Sequence, residues 1–213
     1  MRTVRPRYIA VEGPIGAGKS TLADILATEL QARIIRESPE QNPFLGDFYK
    51  DRRRHAMSAQ LFFLLQRYGQ QGELAQDDLF SRGGVVSDYL FAKDRLFASL
   101  NLSDDELALY DRIYQMLKPR TVVPDLVVYL QARTDVLLER IRKRGRPEEK
   151  PIRAEYVEEV ARAYAEFFFA YKEGPLLIVN AADIDFVSNE QHRAELIDVI
   201  KNARSGTSHW SRG

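Results

Sequence analysis

The run Gly13-Pro14-Ile15-Gly16-Ala17-Gly18-Lys19-Ser20 has the spacing GxxxxGKS. Glycines at these positions let a backbone wrap around phosphate oxygens and point its N–H groups inward. Lys19 would neutralise charge on the β- and γ-phosphates of ATP, and Ser20 would ligate Mg²⁺. The helix that follows would add its partial positive end. The bland alternative is a glycine-rich turn ahead of an ordinary helix, and the full motif in a strand-to-helix context argues against it.

Other candidates fall after apolar runs. Glu37 could take a proton from a hydroxyl attacking the γ-phosphate, or could be a solvated loop residue. Asp88 is placed to hold Mg²⁺ or its waters, or else it caps a turn. Gln60 and Arg67 are two helical turns apart and share a face. The amide of Gln60 both donates and accepts, as reading a nucleobase edge requires, although polar residues on an amphipathic helix are more often just solvated. Arg140, Arg142, Lys143, Arg144 and Arg146 crowd one short stretch around Gly145. Arginines suit the spread charge of a phosphoryl group in transfer, and a glycine among them could let the segment close as a lid over about 144–151. The alternative is a basic helix end that complements its own dipole.

These residues need elements to hold them. Short apolar runs at Tyr8–Val11, Arg33–Arg36, Val85–Val86, Leu126–Leu130 and Leu176–Val179 predict five strands. Helical spacing is predicted over Lys19–Leu30, Pro43–Tyr49, His55–Leu74, Phe91–Leu100, Ser103–Leu117, Thr134–Lys143, Ile152–Lys172 and Asn189–Lys201. Ser103 with Glu106 forms a capping-box pattern. Continuous apolar strands alternating with helices mean a buried parallel sheet. Its carboxyl edge is where ligands bind, so Gly13, Glu37 and Asp88 would share one edge. The expected architecture is an α/β P-loop NTPase-type three-layer sandwich with a five-stranded parallel sheet and an Arg-rich lid. One domain over 1–204 and a disordered tail over 205–213 complete the expectation.

The chain has 213 residues, which suits one domain. Lys plus Arg and Asp plus Glu are both 31, so no bulk field would draw nucleic acid or a membrane surface. No apolar run approaches a membrane span, and no signal-peptide core follows the basic start. Cysteine is absent, which excludes disulfides and thiolate metal sites and fits a cytoplasmic protein. His55, His192 and His209 lack metal-ligand spacing. Met57, Phe62-Phe63 and Phe167–Phe169 are read as core or subunit contact.

Five ordered motifs carry a family resemblance: YIAVEGPIGAGKST, ESPEQNPFLGDFY, QLFFLLQRY, VVSDYLFAKDRLFA, and RIRKRGRPEE followed by EYVEE. With these the chain resembles the deoxynucleoside kinases, the group holding deoxyadenosine, deoxyguanosine and deoxycytidine kinases, over about Tyr8–Asn202. The resemblance implies ATP bound by Gly13, Pro14, Ile15, Gly16, Ala17, Gly18, Lys19, Ser20 and Thr21, with Arg140 and Arg144. It implies Glu37 as the base for a 5′-hydroxyl, and Tyr49 with Glu149 on the sugar 3′-hydroxyl. Gln60, Arg67 and Asp94 would read the base, and Asp88 is the acid after the third strand. Arg140, Arg144 and Arg146 match the lid arginines, and Asn180–Phe186 the segment beside the donor adenine. A 2′-deoxy preference is implied too, with Tyr49 crowding the ribose. So are a homodimer built from helices and a place in nucleotide salvage.

Many family members follow the strand-three acid with Arg and Ser, whereas this chain has Tyr89 and Leu90. A lid arginine, Arg82, Lys93 or Arg95 could compensate, or activity could be weaker. In the family, Arg67 with Asp94 goes with adenine, guanine or cytosine rather than thymine, and the reading here leans to deoxyadenosine. The expected reaction is in-line transfer from Mg²⁺·ATP without a phosphoenzyme. Two rivals stay open: a thymidylate-like nucleoside monophosphate kinase, and an inactive assembly subunit on the same fold.

Overall fold

In a computed structural model, residues 7–77, 84–118, 121–203 and 205–212 are described. Tyr8–Glu12 (β1), Arg33–Ile35 (β2), Val85–Ser87 (β3), Leu126–Gln131 (β4), Leu176–Asn180 (β5) and Thr207–Trp210 (β6) form one sheet. Its order is β2-β3-β1-β4-β5-β6, and every pair is parallel. Eight α-helices accompany it among the described residues: Lys19–Leu30 (α1), Leu45–Lys50 (α2), Arg52–Asp77 (α3), Lys93–Asn101 (α4), Asp104–Leu117 (α5), Thr134–Arg144 (α6), Ala154–Phe169 (α7) and Glu190–Lys201 (α8).

The strands alternate sides as a pleat demands, and this sorts the core into two layers. Ile9, Val11, Val128 and Leu130 pack with Leu22 and Leu26 of α1, Leu137 and Ile141 of α6, and Leu196 and Ile200 of α8. Tyr8, Ala10, Val127 and Tyr129 face the other way, onto Leu96 of α4 and Val160, Tyr164 and Phe168 of α7. Helices on both faces of a parallel sheet make the three-layer sandwich. A smaller cluster of Leu64, Phe91, Ala98, Tyr110 and Tyr114 ties α3, α4 and α5 together.

The sheet has six strands, not five. Residues 207–210, expected to be disordered, pair with β5 from Thr207 against Leu176 to Trp210 against Val179. Thr207, Ser208 and His209 are polar, so no apolar run announced them. An edge strand with one wet side needs none. The sheet's central reversal falls at β1, flanked by β3 and β4, and the crevice beyond the carboxyl ends of β1 and β3 is where such sheets bind ligands.

Candidate active site

β1 ends at Glu12, and the chain turns through Gly13–Gly18 into α1. Gly16 and Gly18 have φ of 86° and 99°, which L side chains rarely adopt. A Cβ on Gly16 would also stand 2.7 Å from the carbonyl oxygen of Leu137. The Lys19 ammonium donates to the carbonyls of Gly13 (2.7 Å) and Pro14 (3.2 Å), folded along its own loop. Burial, helped by the nearby Lys93 charge, brings the Lys19 amine down to about 8.

The second and third strands bring their carboxylates to the same edge. Ser20 Oγ donates to Asp88 Oδ2 at 2.7 Å, and the Glu37 N–H donates to Asp88 Oδ1 at 2.5 Å. Asp88 therefore links the phosphate loop to the start of the loop after β2. Glu37 itself accepts from Lys93 Nζ at 2.9 Å and from the Arg67 guanidinium. Burial opposes its charge, but Arg67, Lys93 and Lys19 outweigh it and hold the Glu37 carboxyl well below the ordinary range.

Gln60 and Arg67 are both buried, so the solvated-face reading of α3 does not apply to them. Both line one cleft with Ile15, Lys19, Ser20, Glu37, Tyr49, Asp88, Arg144, Arg146 and Glu149. Arg67 also pairs with Asp94 in the first turn of α4. Burial pushes the Asp94 carboxyl up to about 6, against the pull of Arg67 and Lys93. Gln60 Oε1, Arg67 Nε and Asp94 Oδ2 are buried and have no hydrogen-bond partner among the described residues. Buried polar atoms left without partners call for a ligand or water to satisfy them.

The basic stretch divides. α6 ends at Arg144, and Gly145 closes it in the left-handed conformation at φ 67°. The Arg144 guanidinium donates to both oxygens of Glu149, which sits in the short 3₁₀ turn Pro147–Glu149. Arg140 lies apart from the cleft wall. Its guanidinium donates to the carbonyls of Ala17 (3.4 Å) and Ala181 (2.8 Å), so it joins the phosphate loop to the loop after β5.

Sequence reasoning passed over several cleft residues. Phe63, read as core or subunit contact, lines the cleft, with the Arg67 guanidinium 4.8 Å from its ring centre. Phe97, Tyr156 and Tyr164 complete the aromatic wall. Glu12, fully buried at the end of β1, looked like a strand terminus. Its carboxylate accepts from the N–H of Gly13 (3.0 Å), the N–H of Leu90 (2.7 Å) and the hydroxyl of Tyr164 (3.0 Å). Arg82 lies outside the described residues. Arg95 pairs with Asp111 on the exposed side of α4.

The donor set suits magnesium. Ser20 and Asp88 offer two oxygens at the mouth of the phosphate loop, and a hard ion of this kind takes the rest of its shell from phosphates and water. No group of three or more His, Cys, Asp or Glu that could hold a metal by itself occurs among the described residues.

A phosphate loop, facing carboxylates and an aromatic cleft that opens onto them define a P-loop phosphotransferase with a small acceptor site. Residues 9–204 match the sequence profile described as deoxynucleoside kinase. The chain is 36% identical over 187 residues to a deoxyguanosine kinase of Bacillus subtilis, covering 86% of this chain and 90% of that one. It is 30% identical to a deoxyadenosine kinase of Lactobacillus acidophilus, covering 91% and 94%. Among solved structures, deoxyadenosine kinase from M. mycoides with bound dATP superposes with a TM-score of 0.78 at 27% identity, covering 90% of this chain and 97% of that one. The same enzyme with bound dCTP gives a TM-score of 0.77 at 26% identity, covering 92% and 99%. The chain belongs to the deoxynucleoside kinase family, and it is an enzyme of the phosphotransferase class.

Proposed function

We propose that this enzyme transfers the γ-phosphate of ATP to the 5′-hydroxyl of a 2′-deoxynucleoside, with deoxyadenosine as the preferred acceptor. The carrying observation is the cleft that runs from the phosphate loop to Gln60 and Arg67, each with a buried, unpartnered polar atom, with Asp94, paired to Arg67, supplying a third. Two of these, Gln60 Oε1 and Asp94 Oδ2, are acceptors and suit the exocyclic amine of adenine. Arg67 Nε is a donor and suits a ring nitrogen. Guanine would turn a carbonyl oxygen toward the acceptors. Deoxyguanosine is the second reading because the 36%-identical relative carries that name.

In this mechanism Glu37 accepts the proton of the 5′-hydroxyl as its oxygen attacks the γ-phosphorus. The bond to the bridging oxygen breaks and ADP leaves. Lys19 and the arginines of the proposed lid, Arg144 and Arg146, stabilise the equatorial oxygens. Ser20 and Asp88 would hold Mg²⁺, which supplies neutralising charge to the β- and γ-phosphates. Arg140 orders the donor side through the loops it ties. Tyr49 and Glu149 take the 3′-hydroxyl, and no covalent enzyme intermediate is needed.

The test is ATP consumption with Mg²⁺ and each deoxynucleoside in turn. Turnover highest with deoxyadenosine supports the reading. Turnover highest with deoxyguanosine moves the base assignment alone. Turnover only with nucleoside monophosphates overturns the acceptor assignment.

A further inference from the structure

This inference rests on the kinase reading above and deepens it. Tyr89 follows Asp88, where the family resemblance leads one to expect an arginine, and its side chain is fully buried in the apolar layer with Tyr8, Leu96 and Tyr129. It brings no charge to the reaction. Lys93, at the start of α4, has its ammonium in the cleft, 2.9 Å from Glu37 Oε2 and 3.7 Å from Glu12 Oε2.

Glu12 explains why the ammonium lies there. Three hydrogen bonds fix its carboxylate at the end of β1, directly before the phosphate loop. A charge fixed and buried in this way attracts a cation strongly and defines its place. Arg67 is tied to Asp94 as well as Glu37, so it has a second carboxylate to stay with when the acceptor hydroxyl engages Glu37. Lys93 then keeps Glu12 as its anchor and has donors to spare, since an ammonium has three and no acceptor.

We propose that Lys93 is a catalytic residue whose ammonium, anchored by Glu12, turns from Glu37 to an oxygen of the transferring phosphoryl group. It supplies there the positive charge that Tyr89 cannot. The competing view makes Lys93 a counter-ion that only neutralises buried Glu12.

Two variants separate these views. Lys93→Met removes the charge, and Glu12→Gln/Lys93→Met removes both charges and keeps the buried site neutral. Thermal melting and calorimetric titration with ATP and with deoxyadenosine accompany turnover measurements. A transition-state charge contact of this kind is expected to lower kcat ~100-fold or more while both dissociation constants stay within about fivefold. The double variant, which serves alone if the single one does not fold, is expected to remain as slow. A kcat within about threefold of wild type in Lys93→Met, or its return to wild type in the double variant, overturns the proposal. Wild-type protein inactive on every deoxynucleoside would instead remove the kinase reading itself.

Discussion

Glu37 has two cations on one carboxylate, and that sets what its removal does. Glu37→Gln keeps the shape but accepts no proton, so kcat should fall ~100-fold or more with little change in the dissociation constant for deoxyadenosine. Single-turnover kinetics with calorimetry would check this, and unchanged turnover would take Glu37 out of the mechanism. Asp94 behaves differently because burial leaves its carboxyl near 6. Above that value it is a charged acceptor, and below it the proton occupies a lone pair that the base amine needs. Affinity for deoxyadenosine should therefore weaken as pH falls through about 6. Asp94→Asn should bind more weakly throughout and lose that limb; a limb that persists in the variant would assign it to another group.

At the scale of elements, the phosphate loop is a backbone device. Gly16→Ala would force a Cβ against the Leu137 carbonyl in a left-handed conformation. We expect a melting temperature lowered by several degrees, at roughly 2–4 °C per kcal/mol, and ATP affinity reduced ~10-fold or more. The phosphate loop and the first five strands were legible in the sequence because apolar runs and glycine spacing are local signals, whereas the order of the strands in the sheet is not a local property. Gln60 and Arg67 were legible as a shared helix face, but not as buried, since burial depends on what packs over α3. Phe63 was hidden for the same reason, and Lys93 stood only as one of several cations that could replace the missing arginine. An aromatic in an apolar helix reads as core, and Lys93 shows its role only once α4 is seated beside Glu12. β6 was missed because polar residues on an edge carry no hydropathy signature.

For the whole molecule, we propose a homodimer through α3 and α5, which pack against each other. Leu65, Leu109 and Met116 on these helices are more than half exposed. Large apolar side chains left in water on neighbouring helices mark a contact face. Leu65→Glu/Met116→Glu should shift the mass in analytical ultracentrifugation from dimer to monomer; wild-type protein that sediments as a monomer would remove the proposal. No helix among the described residues is long and apolar enough to cross a membrane.

The strand β6 has a consequence for handling the protein. Its backbone occupies the hydrogen-bonding rim of β5, whose residues Leu176, Leu177 and Val179 are buried. A bare rim beside such an apolar strand is a template on which another chain can add. β6 acts as a built-in stopper, its own outer rim carried by Thr, Ser and His. Truncation before Ser205 should therefore turn a dispersed protein into one that scatters light on concentration, while fusions placed after Trp210 leave the stopper seated.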